Sequence, residues 1–103
     1  MLDSPQASDL DVVVDDDIID LVEIFLGNCR KNTMKMRDAS SVGDTKTIAY
    51  FSHQIKGTGS MYGFQWLSKA GAAIEAQAKQ EGSVMEMLEQ LDFYLDNVRF
   101  RTE

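Results

Sequence analysis

The chain has one cysteine, one proline, one histidine and one tryptophan in 103 residues. Each scarcity excludes something. Cys29 has no partner, so no internal disulfide can form, and a lone thiol suits a reducing compartment. Pro5 lies near the N-terminus, leaving the rest of the chain free to form long helices. No apolar run approaches the ~18 residues a membrane span requires. The opening MLDSPQASDLDVVVDDD has no basic segment ahead of an apolar stretch, so no secretory signal is expected. A cytoplasmic protein without membrane insertion is the expectation. One histidine and one cysteine cannot furnish the shell of a structural zinc, and no metal or other cofactor is expected. There is no G-x-x-x-x-G-K-[ST] phosphate loop, hence no visible means of using ATP, and no hydrolytic triad signature.

Positive charge is missing from one end. The first 20 residues hold seven aspartates and no Lys or Arg, which accounts for the whole net charge of -7. Between Arg30 and Lys56 the balance reverses, six bases against Asp38 and Asp44. A field of that sign suits an acidic partner or a phosphoryl group, although a solvated helix face would show it too. Overall acidity argues against nucleic acid.

What is present is helical periodicity. Residues 1–14 read as an acidic arm, extended or briefly helical, with DVVVD too short and isolated for a strand. Residues 15–103 read as a bundle of four helices, all-α and antiparallel because the connections are short. The first helix starts at Asp16, with Asp15–Asp17 as capping carboxylates and Ile18, Leu21, Val22, Phe25, Cys29 and Met36 as its inner stripe. SSVGD breaks it, and Asp44 caps the second helix, whose inner face is Ile48, Phe51, Ile55 and Gly59. After MYGF the third turns Phe64, Leu67, Gly71, Ile74 and Ala78 inward. Ser83 and Glu86 have capping-box spacing ahead of the fourth, with Val84, Met87, Leu88, Leu91, Leu95 and Val98 inward. Phe93 and Phe100 share its opposite face, covered by the arm or, less favoured, free for self-association; the chain is read as a monomer. Trp66 is placed near a core boundary, and the methionines as adaptable core and rim filler.

On this wheel the only histidine, His53, projects roughly 140–150° from the middle of its helix's buried stripe and faces solvent. Lys56 and Gly57 follow at i+3 and i+4, and Lys46 precedes it by two turns. A neutral exposed imidazole is a nucleophile. Glycine at i+4 costs the helix about 0.8–1.0 kcal/mol relative to alanine but leaves a notch for a close-approaching partner. A surface histidine beside an arbitrary glycine is the plainer alternative.

The stretch HQIKGTGSMYG, residues 53–63, resembles the H-x-x-K-G signature, with a further glycine ten residues after the histidine, of histidine-containing phosphotransfer (HPt) domains. The LVEIFLGNC segment, the Gly43-Asp44 helix opening and GFQWLSKAGAAIEAQAKQEG follow in the family's order. The resemblance covers roughly residues 10–101. It implies that His53 accepts a phosphoryl group from a receiver-domain phospho-aspartate and passes it to another receiver. Lys56 would neutralise phosphoryl charge, Gly57 would admit the partner, Gly63 would let the second and third helices pack or turn closely, and Gln54 could hydrogen-bond the phosphoryl group or the partner. The chain would be a carrier phosphorylated in trans, not an enzyme. Its partners would be response-regulator receivers or a hybrid sensor histidine kinase, with magnesium in the receiver's acidic pocket.

Docking is expected on the histidine face of the second helix and the adjoining first, with Ile19 and Leu26 near Arg30 as an apolar contact and Lys46 nearby. Filling the bundle edge is an equal reading of Ile19 and Leu26. A helical interaction module never phosphorylated is the alternative function, against which the in-register His, Lys and Gly speak. A dimerising kinase helix pair would need an attached ATP-binding domain.

Overall fold

Helix formers dominate the sequence after its acidic opening, and four helices result. The computed structural model describes residues 2–103: α1 spans Ile19–Ser41, α2 Thr45–Tyr62, α3 Gln65–Lys79 and α4 Met85–Asn97. Short connections make successive helices antiparallel, giving the expected four-helix bundle. Asp44 caps α2, its carboxylate accepting from Thr47 N at 3.2 Å and from Thr47 Oγ1 at 2.6 Å. Those bonds hold the Asp44 carboxyl below its ordinary value. Gly63 ends α2 with φ +85°, a conformation that a side chain would strain, and Phe64 N reaches back to Gly59 O at 2.8 Å.

Two helix starts differ from expectation. α1 begins at Ile19 rather than Asp16, because the Asp15 carboxylate closes a local turn onto Asp17 N instead of capping. The Ser83–Glu86 capping box does not form. Val84 is 1% exposed, and burying it sets the first turn one residue later, with only a long 3.5 Å contact from Met85 N to Ser83 Oγ.

The core joins Val22, Phe25, Cys29 and Met36 of α1 to Ile48 and Ile55 of α2, Leu67 and Ile74 of α3, and Leu88, Leu91 and Leu95 of α4. Trp66, placed near a boundary by sequence, is 4% exposed and stacks on buried Tyr94, centroids 4.7 Å apart. Phe51 is only half-buried, with buried Ser52 beside it. Among the described methionines only Met36 is fully buried, whereas Met34 and Met61 are well exposed. α2 and α3 cross closest. A methyl on Gly71 would lie 2.5 Å from Lys56 N and 2.6 Å from Ser52 O, so only glycine permits the approach.

Strands were not expected, yet DVVVD forms one. β1 (Asp11–Val13) pairs in parallel with β2 (Arg99–Arg101), Val12 opposite Phe100, and a 3-10 turn at Ala7–Leu10 precedes it. The fourth helix therefore stops at Asn97, and Phe100 packs under the arm instead of sharing a helical face with Phe93, which is 52% exposed. Trp66 Nε1 donates to Asp3 O at 3.0 Å, pinning the arm further. Residues 2–14 thus belong to the fold, with Leu2, Leu10 and Val12 against the core.

Candidate functional site

The close crossing of α2 and α3 builds the site. Gly71 rests against the backbone of Ser52 and Lys56, and Glu75 lies one turn further along α3, level with His53. The imidazole projects to solvent, 67% exposed, as its wheel position predicts. Its Nδ1 is 3.0 Å from Glu75 Oε2, and Lys79 Nζ is 3.5 Å from the same oxygen. Burial pushes the Glu75 carboxyl up, but Lys79 and His53 outweigh it and hold the group below its ordinary value. Glu75 is therefore an ionised acceptor, which requires the proton of a neutral imidazole on Nδ1. The lone pair is then on Nε2, at the outer edge of the ring.

His53 borders a groove of about 640 Å³ between α1 and α2. Gln54, Gly57 and Thr58 line its α2 wall beside His53, Asn28 and Asn32 its α1 wall, and Leu21, Ile24 and Met61 form an apolar end. A methyl built on Gly57 would meet nothing within 4 Å, so the space beside the ring is open. Gln54 Nε2 donates to Tyr50 Oη at 3.0 Å. Lys56 is exposed on the α3 side of the ring, where its backbone abuts Gly71. Cys29 forms the floor; burial pushes its thiol up to about 12, with Arg30 opposing weakly, so it stays protonated.

The residues expected to dock a partner lie elsewhere. Leu26 is 3% exposed in the core, and Ile19 packs half-buried against it, which is the bundle-edge reading of both. Arg30 turns toward α4, where its Nη2 donates to Leu95 O at 2.9 Å, and Arg37 pairs there with Asp92. Lys46 is exposed in the first turn of α2, outside the groove lining. Leu21, placed in the core by sequence, is 47% exposed on the groove, and Ile24 is 64% exposed. Because α1 touches both α2 and α4, its buried stripe is wide and centred on Val22, Phe25 and Leu26. Glu75 and Lys79 escaped sequence reading altogether; their i,i+4 spacing one turn beyond Gly71 was the available signal.

A family model described as the Hpt domain matches residues 20–100. No curated protein and no solved structure matches the chain. With the histidine on the outer face of α2, the lysine and glycine in register behind it and four helices beneath, the chain belongs to the Hpt domain family.

Proposed function

We propose that the protein is a phosphorelay intermediate: Nε2 of His53 accepts a phosphoryl group from a receiver-domain phospho-aspartate and returns it to the aspartate of another receiver. Hpt domains serve phosphotransfer in two-component signalling as carriers without an ATP site of their own. The observation that carries the proposal is the imidazole itself, exposed beside an open notch with Nδ1 held by Glu75.

The step balances without moving a proton. The Nε2 lone pair attacks phosphorus, the bond from phosphorus to the receiver's carboxylate oxygen breaks, and that electron pair leaves with the aspartate. Nδ1 keeps its hydrogen, so the phosphorylated ring is cationic and faces the Glu75 carboxylate. Glu75 thus fixes the reactive tautomer and offsets the ring's charge, while Lys79 holds Glu75 ionised. Lys56 offsets phosphoryl charge from the α3 side, Gly57 admits the receiver, and Gly63 sets the turn that brings α3 against α2. Gln54, anchored by Tyr50, is placed to hydrogen-bond the receiver.

Leu21, Ile24 and Met61 would supply the apolar contact to the receiver, in place of Ile19 and Leu26. Attacking and leaving atoms are held in line across this interface, with magnesium supplied by the receiver's acidic pocket. The reading places the exchange in the cytoplasm between a single copy of this chain and its receivers or a hybrid sensor kinase. No helix among the described residues is long and apolar enough to cross a membrane. Loading the chain with phosphoramidate and adding an unphosphorylated receiver with magnesium tests the relay. Rapid loss of label from the chain with its gain by the receiver supports it; a label that the receiver never takes contradicts it.

A further inference from the structure

We propose that Asn32 of α1 donates a hydrogen bond from its carboxamide to the phosphoryl group carried on His53, an inference that rests on the relay reading above. Two contacts fix how α1 runs past α2. Phe25 stacks on Tyr62 with centroids 4.6 Å apart, and Lys35 Nζ lies 5.2 Å from the centroid of Phe51. The helices are antiparallel, so each residue forward on α1 answers one back on α2. His53 therefore stands level with Thr33 and Met34. Thr33 is buried and bonded to Cys29 O, and Met34 is 65% exposed outside the groove. The α1 side chain nearest that level on the groove wall is Asn32, half-buried.

The ring's orientation favours the same residue. Glu75 grips Nδ1 from the α3 side, which turns Nε2 away from α3 and toward the groove. Thr58 Oγ1 already donates to Gln54 O at 2.8 Å, and one of the two Gln54 N–H donors is held by Tyr50 Oη. Asn32 has two N–H donors and makes no side-chain hydrogen bond among the described residues. During transfer, charge spreads over three phosphoryl oxygens. A neutral amide can follow that charge without competing with the receiver's cations, as suits a carrier that must also let go.

The test begins with the wild-type chain, 15N-labelled and phosphorylated with phosphoramidate. The Asn32 side-chain amide protons should move downfield on phosphorylation, and Asn28, one turn away, should respond less. Single-turnover transfer to a receiver should slow about tenfold in Asn32→Leu, the loss of one hydrogen bond to a charged group. Asn32→Asp should slow it further, because a carboxylate cannot donate and repels the phosphoryl charge. An Asn32 amide that ignores phosphorylation, or variants that alter Kd and not the transfer rate, would overturn the assignment. If phosphoramidate labels His53 but no receiver exchanges with it, the relay fails, while the amide shift still decides the role of Asn32.

Discussion

Gly57 sits inside α2 at an exposed position where an added methyl meets no atom within 4 Å. Gly57→Ala removes the conformational penalty of an interior helical glycine, about 0.8–1.0 kcal/mol. For a domain of this size that raises the thermal midpoint by about 4–8 °C. The same methyl occupies the notch beside the imidazole, where a receiver must seat its aspartate in line with Nε2. A displacement of about 1 Å from in-line geometry costs up to ~100-fold in rate, so transfer should fall by at least tenfold. The opposite pattern holds one helix away. In Gly71→Ala the methyl meets the Lys56 and Ser52 backbones at 2.5 and 2.6 Å, and no side chain can give way. Overpacking of this kind costs about 1–3 kcal/mol and occasionally more, and parting the helices draws Glu75 off His53. Thermal denaturation followed by circular dichroism, paired with single-turnover transfer, reads both effects. A destabilised Gly57→Ala, or one that transfers at the wild-type rate, refutes the reasoning.

Leu26→Ala should cost about 2–5 kcal/mol by denaturant titration, as for a buried leucine. Leu21→Ser and Ile24→Ser should change stability by no more than about 0.5 kcal/mol, yet weaken receiver binding about tenfold by calorimetry. Tyr94 is fully buried, its hydroxyl has no partner among the described residues, and burial pushes its pKa up. Tyr94→Phe should therefore stabilise the chain by about 1 kcal/mol, seen as a higher denaturation midpoint. Folding favours ionised Glu75, so its contribution is complete above its ordinary pKa of 4.5 and is lost as pH falls below it. Glu75→Gln should accordingly shallow the acid limb of the stability profile.

The exposure of His53 was legible because a helix's angular period is local, and Ile48, Ile55 and Gly59 suffice to orient α2. The Asp44 cap and the Gly63 turn were legible for the same reason, each resting on residues a few positions apart. Glu75 was not, since its approach to His53 depends on how closely α2 and α3 cross, which Gly71 decides in three dimensions. β1 and β2 carry no local signal: each has three residues, and the pairing of Asp11 with Arg99 joins opposite ends of the chain. Leu21 and Leu26 exchanged places because a wheel built on one stripe assumes one packing partner, whereas α1 has two. The Ser83–Glu86 spacing matched a cap, but the burial of Val84 outweighed that single hydrogen bond.

The most direct measurement is the intact mass of the chain after incubation with a phosphorylated receiver and magnesium, with His53→Gln alongside. A relay through His53 predicts one added phosphoryl group, labile in acid, stable in base and absent from the variant. A folded wild-type chain that takes no label from several phosphorylated receivers, or a His53→Gln chain that takes one, would contradict it.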